Sequence, residues 1–228
     1  MKNFIIILLV VVYSCKSAST SVAVAQTKSV AEIEKKINPI IIDKIIADTI
    51  FVNLKNYSTD FVYDMKYATA DNFLKVQVYD CAECFLRLKT VKALILANND
   101  LMKLGLKIKL YDCYRPLDVQ KKMWAIVPNA TYVANPAKGS IHNRGGAVDI
   151  SLVDLSGKEL DMGTKFDFFG EEASHNYLKF NEQIIKNRQL LKSVMLANSF
   201  SSFDSEWWHY NLKNASTDAV SNEKWKCD

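Results

Sequence analysis

Ser140-Ile141-His142-Asn143-Arg144-Gly145-Gly146-Ala147-Val148-Asp149-Ile150-Ser151-Leu152 reads as a turn running into a strand. Glycine is scarce, with seven in 228 residues, so Gly145-Gly146 marks unusual backbone angles or a close approach to something bound. Ala147 to Leu152 then forms the strand. His142 and Asp149 are seven residues apart, and on one continuous strand an odd separation would point them to opposite faces. The Asn143-Arg144-Gly145-Gly146 turn resolves this, with His142 before it and Asp149 on the strand after it.

Working outward, Phe51-Val52-Asn53-Leu54 is β-like. Leu86 to Leu104 carries Leu88, Val91, Leu94, Ile95, Leu101 and Leu104 at helical spacing, with Gly105 as the stop. Leu106 to Tyr111 alternates as a half-buried strand does and delivers Asp112-Cys113-Tyr114-Arg115-Pro116 at its end. Leu117 to Ile126 reads as a helix started by Pro116 and Asp118, and Asn181 to Ala197 as another. Phe203 to Leu212 is strand-like. Glu206 and His209 would not share a face of an ideal strand, so a bulge or single helical turn is expected near Trp207-Trp208. Helices and strands do not alternate regularly, which predicts α+β rather than a doubly wound sheet.

Lys2 and the apolar run from Phe4 to Tyr13 form an export signal, too short to span a bilayer. Two ends fit it. Val12-Tyr13-Ser14-Cys15 resembles a lipobox with Cys15 lipidated; Ala23-Val24-Ala25 is an A-x-A site releasing a soluble protein. The lipoprotein is favoured because Cys15 directly follows the apolar run. Residues 1–25 are therefore the signal, 26–50 a tether or short helix, and 51–228 the catalytic domain, in an exported protein that is periplasmic or membrane-anchored. About 200 residues remain after the signal, enough for one domain with a good core.

Hydrophobic residues make up 49% and charged residues 24%, as in a globular chain. Net charge is +4, with lysine spread along the chain and no basic block, which argues against nucleic-acid binding. Cys81, Cys84, Cys113 and Cys227 allow three disulfide pairings in an oxidising compartment, and spacing does not choose among them. Cys81-Ala82-Glu83-Cys84 lacks the βαβ context of a redox motif, and no second CxxC follows to build a cysteine zinc site.

Three histidines occur in the chain, and His142 and His209 sit in compact polar motifs, the second being Glu206-Trp207-Trp208-His209-Tyr210. A histidine beside two tryptophans is ordinarily a packed core residue, Arg115 before Pro116 a surface ion-pair residue, and Asp149 a turn cap. Their joint occurrence with Gly145-Gly146 favours a metal site. His142, Asp149 and His209 supply the three ligands that catalytic zinc takes, leaving a fourth place open. Glu206 lies three residues from His209, where it can take a proton from water and return it to a leaving amine. Arg115 offers a planar fork for negative charge developing on a carbonyl oxygen.

With these residues in view, the chain resembles the zinc D-alanyl-D-alanine dipeptidases, the VanX-like group of the D-Ala-D-Ala metallopeptidases. The resemblance is carried by Asp64 to Phe73, Asp112 to Pro116, Ser140 to Asp149, Met162-Gly163-Thr164-Lys165-Phe166-Asp167 and Glu206 to Tyr210. It spans about Phe51 to Leu212. It implies a single α+β domain, a small and mainly antiparallel sheet flanked by helices with the zinc site at the sheet, as in the Hedgehog-like fold. It also implies one zinc per chain at His142, Asp149 and His209, Glu206 as acid and base, and Arg115 as transition-state stabiliser. The free amine of a small D-amino-acid dipeptide would be held by Asp167 with help from Tyr67, and Ser140 would lie close to the substrate. Leu74-Lys75 stands where the family commonly has a glycine. His175 is expected to be structural.

The function expected is hydrolysis of D-alanyl-D-alanine or similar free dipeptides in cell-wall turnover. A peptidoglycan D,D-carboxypeptidase or endopeptidase with the same centre is the alternative. A cell-wall binding lipoprotein keeping zinc for structure is a third reading, against which Glu206 and Arg115 speak. Oligomeric state is not encoded in any recognisable stretch.

Overall fold

The strand beginning at Ala147 runs on to Asp154 and lies at the middle of a five-stranded sheet. The computed structural model describes residues 47–227. The expected signal segment, Cys15, the Ala23-Val24-Ala25 site and most of the tether lie outside the described residues. In chain order the elements are β1 (Phe51–Asn53), β2 (Val62–Tyr63), β3 (Phe85–Arg87), α1 (Leu88–Met102), β4 (Leu106–Asp112), α2 (Leu117–Ile126), β5 (Ala147–Asp154), α3 (Glu182–Ala197), β6 (Phe200–Phe203) and β7 (Glu206–Leu212). The sheet order is β2-β4-β5-β7-β6, parallel only between β2 and β4, while β1 and β3 pair separately. The architecture is α+β and mainly antiparallel, as expected. Among the described residues no helix is long and apolar enough to cross a membrane.

β5 is buried along nearly its whole length, because it has strands on both edges and side chains covering both faces. Val148, Ile150 and Leu152 join Leu94, Leu101, Leu191 and Met195 of α1 and α3 in the main core. Each fully buried aliphatic side chain of this kind contributes roughly 1.5–3 kcal/mol. A second, smaller core forms under α2, where Val119 and Met123 meet Tyr67, Leu74, Val78 and Tyr79. It carries the segment on which Arg115 sits.

Two expectations need correction. The first helix begins at Leu88 rather than Leu86, because Phe85–Arg87 is taken as a strand against Phe51–Asn53. Phe203 to Leu212 is not one strand: β6 and β7 are a hairpin turning at Asp204-Ser205. The bulge expected near Trp207-Trp208 is present. Ser202 opposes Tyr210 while Phe203 opposes Glu206, so three residues of β7 have no counterpart in β6. Trp207 consequently lies against Arg188 of α3, whereas Trp208 meets Phe166 edge-on.

The cysteines form Cys81–Cys227 and Cys84–Cys113, which settles the pairing that spacing leaves open. The two cysteines of Cys81-Ala82-Glu83-Cys84 thus have different partners. Lys75, where the resemblance calls for glycine, holds a left-handed backbone with φ of 59°.

Candidate metal centre

One row across the sheet assembles the site. Asp112 on β4 opposes Asp149 on β5, and Asp149 opposes His209 on β7. His142 comes from the one-turn 3-10 helix His142–Arg144, which Gly145 ends in the left-handed region at φ 70°. A β-carbon on Gly146 would lie 2.3 Å from the Ala215 β-carbon, so this close approach requires glycine. The turn folds His142 back over Asp149, as its sequence predicts.

His142 Nε2 lies 3.3 Å from Asp149 Oδ2 and 3.2 Å from His209 Nδ1, and His209 Nδ1 lies 2.9 Å from Asp149 Oδ1. His142 and Asp149 are buried and His209 nearly so. The outer ring nitrogens are engaged elsewhere. His142 Nδ1 donates to the Cys113 carbonyl at 2.7 Å, and His209 Nε2 donates to Asn211 Oδ1 at 2.9 Å. Those bonds select the tautomers that leave His142 Nε2 and His209 Nδ1 as bare lone pairs facing Asp149. Burial by itself would raise the Asp149 carboxyl; His142 and His209, when their rings are protonated, outweigh it and hold it well below the usual carboxylate range.

The donor set fits zinc. Two neutral imidazoles and one carboxylate are suitable ligands, and tetrahedral bonds of ~2.0–2.1 Å place neighbouring ligand atoms ~3.3 Å apart. The 3.2 Å between His142 Nε2 and His209 Nδ1 matches that edge, and Asp149 turns one oxygen to each ring, Oδ2 to His142 at 3.3 Å and Oδ1 to His209 at 2.9 Å. Among the described residues this trio is the group of histidine, cysteine and carboxylate side chains whose ligand atoms converge, all within 4.8 Å.

Arg115 is buried and fixed. Its Nε and Nη2 donate to Asp112 Oδ2 at 3.2 and 2.6 Å, and Nη1 donates to Gln120 Oε1 at 3.0 Å. Burial would lower its pKa, but Asp112 reverses this and keeps the guanidinium charged. Its other N–H groups are left for a ligand. Asp112 also accepts from the Tyr79 hydroxyl at 2.7 Å. Tyr79, Asp112 and Gln120 escape sequence reasoning, although Asp112 lies in a motif that the resemblance quotes. Asn211 escapes it too; its one sequence signal is its place two residues from His209, on the same face of β7.

Glu206 starts β7, and its carboxylate accepts no hydrogen bond among the described residues; burial raises its carboxyl above the ordinary range, with His209 pulling the other way. Asp167 accepts from the Tyr67 hydroxyl at 2.9 Å, and the Arg115 guanidinium lies over the Tyr67 ring at 5.3 Å. Burial first, then Asp149, push the Asp167 carboxyl well up. Its φ of 57° is unusual for a residue other than glycine and marks a side chain held in place by its surroundings. Ser140 is turned to its own loop, its hydroxyl donating to Asn143 Oδ1 at 3.0 Å. His175 stands apart from these residues, with its ring centroid 6.0 Å from that of Tyr210. A cavity of about 980 Å³ adjoins Phe166 and Asp167, but none of the three convergent side chains lines it.

The family model described as D-ala-D-ala dipeptidase matches residues 47–226. The D-alanyl-D-alanine dipeptidase of Escherichia coli (strain K12) is 33% identical over 179 residues, covering 78% of this chain and 93% of that protein. Those of Enterococcus faecium and Enterococcus faecalis (strain ATCC 700802 / V583) are 31% and 32% identical, covering 67% and 66% of this chain and 86% and 85% of theirs.

Proposed function

This chain belongs to the D-ala-D-ala dipeptidase family and is a peptidase, and from that premise we propose that it is a zinc enzyme hydrolysing free D-alanyl-D-alanine. The convergence of His142 Nε2, His209 Nδ1 and Asp149 is the observation that carries the zinc reading. Zinc, when bound, supplies Lewis acidity toward a carbonyl and toward water. The chain's own groups do the rest. Arg115, already oriented by Asp112 and Gln120, donates to the carbonyl oxygen as it becomes negative. Glu206, with its raised carboxyl, takes a proton from the attacking water and hands it to the departing amine.

Asp167 with Tyr67 receives the substrate's free ammonium, and Ser140 borders the bound dipeptide. A buried carboxylate at that place leaves an acylated amine with no partner, so longer chains are rejected. This favours a dipeptidase over a D,D-carboxypeptidase. The expected export signal, with a lipid anchor at Cys15, supports a site of action outside the cytoplasm, in peptidoglycan turnover. There it does not consume the dipeptide needed for wall synthesis.

The test is dipeptide hydrolysis with a chelator and then with zinc restored. Activity should vanish and return, and Glu206→Ala should abolish turnover with zinc still bound. Equal rates on acylated and free D-alanyl-D-alanine would overturn the dipeptidase reading. Activity indifferent to the chelator would overturn the zinc reading.

A further inference from the structure

We propose that the Cys84–Cys113 disulfide is a positioning cross-link for the metal centre, fixing the cradle in which the His142 turn and Arg115 are held. It rests on the reading of His142, Asp149 and His209 as metal ligands. Both cysteines are fully buried. The bond joins the residue before β3 to the residue after β4, 29 apart in sequence.

Each side of that bond grips the His142 turn. On the Cys113 side, the Cys113 carbonyl accepts from His142 Nδ1 at 2.7 Å, and the Arg115 amide donates to the His142 carbonyl at 3.1 Å. The Asn143 side-chain amide returns a bond to the Arg115 carbonyl at 2.7 Å. On the Cys84 side, the amide of Arg87 and the hydroxyl of Thr90 both donate to the Gly145 carbonyl, at 3.1 and 2.9 Å. Arg87 Nε donates to the Arg144 carbonyl at 2.6 Å. The Tyr114 amide donates to the Phe85 carbonyl at 2.9 Å, joining the two strips directly beside the sulfurs.

The turn is therefore clamped between two backbone strips, and the disulfide is the covalent tie between them. The carbonyl that selects the His142 tautomer belongs to a cross-linked residue. An outer partner of a metal-bound histidine sets ring orientation and ligand basicity, and its loss costs roughly ten- to a hundredfold in metal affinity. Cys81–Cys227 acts at a remove: it ties the C-terminal segment, where Trp225 stacks on Phe85 and the Ser221 amide donates to the Asn143 carbonyl at 2.9 Å, but no hydrogen bond from that segment reaches His142 or Arg115 among the described residues.

The test compares the folded wild type, Cys84→Ala/Cys113→Ala and Cys81→Ala/Cys227→Ala by zinc competition against a chromophoric chelator and by the visible spectrum of the cobalt-loaded protein. The first pair should weaken metal binding about tenfold or more and shift the cobalt bands, while the second pair leaves both unchanged. Wild-type affinity and spectrum in Cys84→Ala/Cys113→Ala, with a lower Tm alone, would overturn the proposal. Should that variant not fold, wild type reduced by a phosphine is measured instead. The phosphine is oxidised as the S–S bond becomes two thiols. Unfolding on reduction, under conditions where Cys81→Ala/Cys227→Ala stays folded, would also overturn the proposal. His142→Ala separates the two levels: if it binds zinc like wild type, the metal-centre reading fails, not merely the cross-link.

Discussion

Asn211→Ala should weaken zinc binding about tenfold without moving any ligand in sequence. The asparagine oxygen accepts from His209 Nε2 at 2.9 Å and so leaves Nδ1 bare toward Asp149. Deleting it strands a largely buried N–H, at a cost of about 1–3 kcal/mol. The His209 side chain is 14% exposed, so water can replace part of the lost bond. That puts the expected loss at the lower end, near 1.4 kcal/mol, which is one decade of affinity. The Asn211 backbone pairs with Ala147 and Ser201, and truncating the side chain leaves those pairings intact. Asn211→Asp should act in the opposite direction, since a carboxylate is a stronger acceptor and raises the basicity of Nδ1. Competition titration against a chromophoric chelator reads both variants on one scale. If alanine and aspartate bind zinc equally, the bond to Asn211 does not govern His209, and the ligand assignment for β7 loses its outer support.

Arg115→Lys should lower kcat by about 10²–10³, because a lysine cannot hold Asp112 and Gln120 with a planar fork while presenting further donors; steady-state kinetics on the dipeptide checks this. Lys75→Gly should stabilise the fold by about 0.5–1 kcal/mol, since the lysine occupies a left-handed backbone at φ 59°, and thermal melting should show a Tm raised by roughly 1–4 °C. His175 has its pKa lowered to about 4, chiefly by burial, with Lys192 and Arg188 acting in the same direction. Between about pH 6.5 and 4 the unfolded chain therefore binds a proton that the folded protein does not. Stability should fall as pH drops through that window, and His175→Asn should flatten the slope in denaturant titrations.

Legibility in the sequence follows how local each signal is. α2 was readable because Pro116 and the apolar spacing after it act within one turn. β5 was readable because Gly145-Gly146 announces the reversal before it. The first helix started two residues late because Phe85–Arg87 suits helix or strand alike, and its strand partner lies more than thirty positions away at Phe51–Asn53. The β6–β7 turn was missed because Asp204-Ser205 contains neither glycine nor proline. His142, Asp149 and His209 stood out through rarity and motif. Asn211 did not, since an asparagine on a strand has many ordinary uses and becomes informative only once His209 is oriented. The disulfides were invisible for a combinatorial reason, because all three pairings are equally compatible with spacing.

The geometry of the centre depends on a departure from ideal strand pairing on one side of Asp149 and on a regular ladder on the other. Between Leu110 and Asp112 the register against β5 slips by one residue. In an unbroken ladder Tyr111 would oppose Asp149; with the bulge, Asp112 does. A shift of one residue exchanges the faces of a strand, so this slip is what puts a carboxylate beside the ligand row. From there Asp112 grips Arg115, while Tyr111 turns to pair with Glu159. On the other side the β5–β7 ladder is unbroken and brings His209 opposite Asp149, while the irregularity lies between β7 and β6, where Trp207 packs against Arg188 of α3. Without the slip in β4, Arg115 would lose Asp112 as its anchor beside the ligand row, while His209 would keep its place opposite Asp149. The core residues therefore account for the fold's stability, whereas the β4 bulge and the β5–β7 register account for the placement of the site.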